Sequence, residues 1–130
     1  MKLLAELRFD ANGLIPAIVQ DAENGEVLTL CYMNREAVTK TLETGLVHVF
    51  RRSRGRLMLK GETSGMIQRV KEVFCDCEGN SLLFKVEQEI AACHTGHRTC
   101  YFRRYDPEKD VIQTVGSPLF DPAQVYGKKG

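Results

Sequence analysis

Short apolar, β-branched runs, each cut off by a turn signal, fill most of this chain and leave little room for long helices. Leu14 to Gln20 is such a run, Asp21 to Gly25 is turn-forming, and Val27 to Met33 is apolar again; together they read as strand, tight turn and strand. Leu46 to Arg52 and Arg56 to Lys60 flank Ser53-Arg54-Gly55, and Ile67 to Asp76 and Ser81 to Glu89 flank Glu78-Gly79-Asn80, so each pair reads as a hairpin. Thr99 to Arg104 and Val111 to Val115 are shorter strand candidates. Asp106-Pro107 and Asp121-Pro122 mark turns, and Gly127 to Gly130 reads as a frayed tail. One segment breaks the pattern. Asn34 suits a helix N-cap, Glu36 suits the positive end of the helix, Ala37, Val38, Thr41 and Leu42 form an apolar stripe at helical spacing, and Gly45 can end it. The expected fold is therefore α+β and β-dominated, with hairpin-rich antiparallel sheets and one clear helix at about 34–44.

At 130 residues the chain is expected to form a single domain spanning 1–130, with a real core. Eighteen basic and 17 acidic residues give a formal charge of +1, which argues against a general nucleic-acid binder. The basic residues are still clustered: Arg51, Arg52, Arg54, Arg56 and Lys60 lie close together. The start, Met1 to Arg8, carries charges and is too short for a signal-peptide core, and no run approaches the length of a membrane-spanning helix. A cytoplasmic protein without membrane partners is expected. In that compartment five cysteines read better as metal ligands and spare thiols than as a disulfide framework.

The cysteines also carry the strongest chemical signal. Cys77 sits in the run Cys75-Asp76-Cys77-Glu78-Gly79-Asn80, and Cys93 and Cys100 bracket Cys-His-Thr-Gly-His-Arg-Thr-Cys. Any one of them alone reads as a buried small hydrophobe. Together, Cys77, Cys93 and Cys100 can hold a zinc ion by three thiolates and leave its fourth position open, as catalytic zinc requires. If the strand continued through Gly79, side-chain alternation would put Cys75 and Cys77 on one face and Asp76, Glu78 and Asn80 on the other. The thiol face suits zinc and the oxygen face a hard cation such as Mg²⁺; a polar turn with solvated acids is the plainer reading of the latter. His94 and His97 lie between two candidate ligands, where either can be a ligand or a proton-transfer group. Lys60-Gly61-Glu62-Thr63-Ser64-Gly65 offers hydroxyls, a lysine and backbone amides to a phosphate, and the nearby arginines can add bidentate contacts. His48 and Cys31 read as structural.

These runs resemble phosphoribosyl-AMP cyclohydrolase, the histidine-biosynthesis enzyme that opens the adenine ring. The matching stretches are Gln20-Asp21, Tyr32-Met33-Asn34-Arg35-Glu36-Ala37, Thr44-Gly45, Ser53-Arg54, Lys60 to Gly65, Asp76-Cys77, Val86-Glu87-Gln88, Ala92-Cys93-His94-Thr95-Gly96 and Cys100, in order. The end, Phe120-Asp121-Pro122 with Tyr126-Gly127, looks like single-function members, without room for the pyrophosphohydrolase domain fused to many bacterial relatives.

The resemblance implies an intertwined homodimer with one zinc per subunit shared across the interface, Cys77 coming from one chain and Cys93 and Cys100 from the other. It implies Mg²⁺ at Asp76, Glu78 and Asn80, and a nucleotide substrate bound by Arg52, Arg54, Lys60, Glu62, Thr63 and Ser64, with the basic residues meeting its phosphates. The implied reaction is attack by hydroxide on C6 of an N1-ribosylated adenine, followed by rupture of the N1–C6 bond. His97 is the first candidate for the catalytic base and His94 the second.

Departures from the family's pattern matter as well. Three aspartates are usual where this chain has Asp76, Glu78 and Asn80, so magnesium affinity is expected to fall. Ser64-Gly65-Met66 replaces Ser-Gly-His, Met58 stands in place of a tryptophan, and Arg51 in place of a serine. Two alternatives follow: a paralogous zinc hydrolase or deaminase acting on a different purine nucleotide, or a non-catalytic, zinc-stabilised nucleotide-binding dimer.

Overall fold

A computed structural model describes residues 1–61, 67–88 and 96–119. Its centre is a strand whose inner face is uniformly apolar. In β1 (Leu14–Asp21), Ile15, Ala17 and Val19 are fully buried while the residues between them turn outward. β1 pairs antiparallel with β2 (Val27–Asn34), from Leu14↔Asn34 to Gln20↔Val27, with a bulge between Val19 and Gln20. The expected strand–turn–strand at 14–33 is thus observed. Asp21 closes the turn: its Oδ1 accepts from the amides of Glu23 (2.8 Å) and Asn24 (3.2 Å).

The helix α2 (Arg35–Thr44) follows directly and starts and stops where its sequence signals lie. Asn34 Oδ1 accepts from Ala37 N at 2.8 Å, and Gly45, at φ 75°, donates its amide to Thr41 O. Ala37, Val38 and Thr41 are buried. Thr41 Oγ1 also receives the amide of His48 at 2.9 Å, which ties the helix to the next hairpin, β3 (His48–Arg51) and β4 (Arg56–Leu59). His48 Nδ1 lies 2.8 Å from Leu46 O, in keeping with a structural role.

A second predicted hairpin forms from β5 (Gln68–Cys75) and β6 (Leu82–Gln88). It joins the first as a unit. The sheet order is β2-β1-β6-β5, and the seam between β1 and β6 is parallel, from Ala17↔Leu82 to Asp21↔Val86. This parallel pairing inside an otherwise antiparallel sheet is not expected from the sequence. β1 spends its other edge on β2, and the long excursion through α2 and β3–β4 returns the chain to the remaining edge in the same direction. Pro16 lies opposite Tyr32 of β2, one residue before the β6 pairing begins at Ala17. Leu82, Phe84 and Val86 complete the inner face with Leu28 and Met33, and α2 with Val47, Val49 and Met58 of the β3–β4 unit covers it.

Two further elements lie outside this core. A short helix that sequence patterning does not reveal, α1 (Lys2–Glu6), precedes β1; β7 (Arg103–Asp106) pairs with β8 (Val111–Thr114), the latter inside its expected run and the former displaced towards the C-terminus, sharing only Arg103 and Arg104 with the expected 99–104. Among the described residues no helix is long and apolar enough to cross a membrane.

Candidate active site

The thiol of Cys77 is carried by a tight turn, as the expected hairpin at Glu78-Gly79-Asn80 requires, and the condition for a two-faced strand through Gly79 is not met. β5 stops at Cys75, and Asp76 folds its own side chain back on the chain: Oδ1 accepts from Asn80 N at 2.6 Å and from Ser81 N at 3.1 Å. Gly79, at φ 71°, donates to Asp76 O at 3.1 Å. Alternation therefore ends before Cys77, and no thiol face opposes an oxygen face. The turn is also roofed. Arg8 N donates to Gly79 O at 2.8 Å, and a Cβ at Gly79 would collide with the carbonyl oxygen of Glu6. Cys75, Asp76, Cys77, Glu78 and Asn80 are all exposed on it. Oxygen donors at 76, 78 and 80 share one short turn, but Asp76 already commits one oxygen to holding it.

The segment from Gly96 to Cys100 is held by distant parts of the chain. Cys100 N donates to Leu28 O at 2.7 Å and Thr99 Oγ1 to Val27 O at 2.7 Å, which lays the segment against β2. Arg98 reaches Asp21 through Nη2 and Glu26 through Nε, the latter at 2.9 Å. Gln88 Nε2 donates to Arg98 O at 2.9 Å. Immediately before Arg98, His97 is buried and lies flat on Phe102, with ring centroids 3.8 Å apart and planes 4° from parallel. Both rings line a pocket of about 230 Å³ together with Glu26, Tyr101 and Ser117.

The basic hairpin supplies a third group. Arg52 and Arg54 are exposed at the β3–β4 turn, closed by Arg54 N to Arg51 O at 3.0 Å. Arg52 stacks its guanidinium 4.1 Å above the Tyr32 ring, so its stem is anchored while its charge stays in water. Lys60 follows β4, its amide bonded to Val47 O at 2.9 Å. Cys31 lies within range of these charges; burial pushes its thiol up to about 12, against the lowering pull of Lys60 and Arg51. A thiol so raised stays protonated and inert at neutral pH, in keeping with a structural Cys31.

Cys93, His94, Glu62, Thr63 and Ser64 lie outside the described residues. Among the described ones no three potential ligands converge. The two described zinc candidates stand well apart. The Cys77 turn joins β5 to β6 beyond Leu82, whereas Cys100 hangs on β2 at Leu28. From β6 to β2 is two strand spacings, roughly 10 Å, whereas sulfurs bound to one zinc sit about 4 Å apart. Soft thiols in these two places fit a zinc site only if each meets a complementary set from elsewhere.

A sequence profile of the phosphoribosyl-AMP cyclohydrolase family matches residues 29–102. This chain belongs to that family. It is 49% identical over 129 residues to the phosphoribosyl-AMP cyclohydrolase of Methanothermobacter thermautotrophicus, covering 98% of this chain and 94% of the relative. The enzyme of the same name from Desulfotalea psychrophila is 51% identical over 129 residues, 97% of this chain and all of the relative. The histidine biosynthesis bifunctional protein HisIE of Thermoanaerobacter pseudethanolicus is 47% identical over 124 residues, 95% of this chain and 56% of that longer protein. The matched residues take in the basic hairpin, the Cys77 turn and the segment to Cys100. Sequence reasoning did not find the stacking of Phe102 under His97 or the grip of Asp21 and Glu26 on Arg98. Only the family-like runs Gln20-Asp21 and Val86-Glu87-Gln88 hinted that those positions matter.

Proposed function

We propose that this chain is a zinc-dependent, cytoplasmic hydrolase that opens the N1–C6 bond of the adenine ring of phosphoribosyl-AMP, working as a homodimer. The observation that carries this reading is the separation of Cys77 from Cys100 within one chain, in a family whose curated relatives bear that enzyme's name. A second copy turns two incomplete thiol sets into complete ones: Cys77 of one chain with Cys93 and Cys100 of the other. Zinc held there would supply a nucleophilic hydroxide at neutral pH.

The chain's own residues account for the rest of the chemistry. Ribosylation at N1 makes C6 electron-poor and N1 a good leaving group. His97, buried and fixed flat on Phe102, takes the proton released as water adds at C6 and returns it to the departing nitrogen; His94 is the second candidate. The substrate's phosphates meet the exposed guanidinium groups of Arg52 and Arg54 and the ammonium of Lys60, with Glu62, Thr63 and Ser64 completing that side. Asp76, Glu78 and Asn80 form a weak magnesium site, since one carboxylate closes its own turn and one position has no charge.

The test is turnover of phosphoribosyl-AMP by zinc-loaded protein, followed by ultraviolet absorbance with and without magnesium. Ring opening is expected, with a small response to magnesium. An intact, zinc-loaded dimer that leaves phosphoribosyl-AMP unchanged would refute the reading.

A further inference from the structure

The Gln20-Asp21 and Val86-Glu87-Gln88 runs have no part in the chemistry above, yet both converge on one residue. The guanidinium of Arg98 is gripped by Asp21, whose carboxylate is almost fully buried, and by Glu26 at 2.9 Å. Its main-chain carbonyl accepts from Gln88 Nε2 at 2.9 Å, and Gln88 Oε1 accepts in turn from Gln68 Nε2 at 2.8 Å. The direction of this relay is fixed by chemistry. A carbonyl can only accept, so Gln88 must turn its nitrogen to Arg98 and its oxygen to Gln68. Gln68 Oε1 is left buried with no hydrogen-bond partner among the described residues. Such an acceptor costs stability. A fold that keeps it gains a directional hold on one peptide group.

We propose that Arg98 is a positioning residue, anchored by its side chain to Asp21 and Glu26 and by its carbonyl to Gln88, and that this double anchorage sets the His97 imidazole over Phe102 for reaction. Pinning both ends of Arg98 fixes the backbone next to His97 and hence the direction in which its ring leaves the chain. Removing either anchor frees that rotation. The proposal rests on the reading of His97 as the proton-transfer group.

The test uses the full-length zinc-loaded protein as wild type, Gln88→Met, Arg98→Lys and His97→Ala. Methionine keeps the length of Gln88 without the donor, and lysine keeps the charge of Arg98 but cannot present a fork to two carboxylates. Three readouts are compared: kcat against KM, the thermal midpoint, and the His97 ring-proton resonance. That resonance is shifted by the Phe102 stack and is assigned, among three histidines, by its loss in His97→Ala. Gln88→Met and Arg98→Lys are expected to lower kcat by about 10–100-fold with KM within about threefold, and to move the resonance towards its unstacked position. A fall in the thermal midpoint with kcat and the resonance unchanged would overturn the proposal, as would a moved resonance with wild-type kcat. Failure of the underlying reading looks different: His97→Ala would then keep full turnover.

Discussion

The two described segments that carry candidate zinc thiols are held in opposite ways. The Cys77 turn is closed within itself by the side chain of Asp76 and the left-handed Gly79, and Glu6 and Arg8 meet it from outside. The Cys100 segment makes its decisive contacts with residues more than 70 positions away, Asp21, Glu26, Val27 and Leu28. A self-closed turn can present its thiol on the surface and wait for a partner. A segment held by distant anchors has its groups fixed only once the sheet is built. The difference suggests a site in which a docked, sheet-built half receives an exposed, prefolded one.

The largest expected effect separates the cysteines from one another. Cys77→Ser and Cys100→Ser should each lower turnover by at least about 10³-fold with loss of bound zinc, while Cys75→Ser, next to the same turn, should leave turnover intact; steady-state kinetics with metal analysis decides. A loss for Cys75→Ser as large as for Cys77→Ser would mean that the turn is merely fragile. Gly79→Ala strikes the local half alone. It forces an ordinary side chain into φ 71° and against Glu6, so stability should fall by about 2 kcal/mol, read by denaturant unfolding.

Asp76 allows a finer division between holding the turn and holding a metal. Asp76→Asn keeps an oxygen for the amides of Asn80 and Ser81 but loses the charge. It should unfold within about 0.5 kcal/mol of wild type, whereas Asp76→Ala should lose about 1–2 kcal/mol. Both should abolish any magnesium response of the rate. A stability loss in Asp76→Asn as large as in Asp76→Ala would show that the carboxylate's charge, and not its acceptor, holds the turn.

The smallest effect concerns thiol reactivity. At pH 8, a thiol reagent followed by mass spectrometry should label exposed Cys75 at once, Cys77 only after zinc is removed, and Cys31 not at all. The Cys31 thiol is raised from 9.0 to about 12 in the fold. The folded chain then keeps a proton that the unfolded chain has released. Its contribution is therefore constant below pH 9 and destabilising as pH rises from 9 towards 12.

Sequence made the local half legible and the distant half nearly opaque, for physical reasons. Asn34, Gly45 and the alternation of Ile15, Ala17 and Val19 act through neighbours a few positions away, so the helix and the hairpins could be read directly. The turn after Asp76 was readable from Glu78-Gly79-Asn80, but not that the Asp76 side chain closes it, because alternation does not register a side chain that bonds its own backbone. The parallel seam of β1 with β6 joins residues whose pairing no local pattern encodes. Arg98 and Asp21 are 77 positions apart, and nothing in either neighbourhood announces the pair. Cys77, Cys93 and Cys100 stood out in the sequence as candidate ligands, but the attachment of Cys77 and Cys100 to different strands emerged only from the strand order.

A mixed-dimer experiment tests the central claim most directly. Cys77→Ser and Cys100→Ser proteins, each inactive alone, are unfolded together, refolded with zinc and assayed on phosphoribosyl-AMP. If each site joins Cys77 of one chain to Cys100 of the other, half the dimers carry one intact site, and about a quarter of wild-type turnover should return. No recovery, from a mixture shown to contain heterodimers, would contradict a site shared between chains.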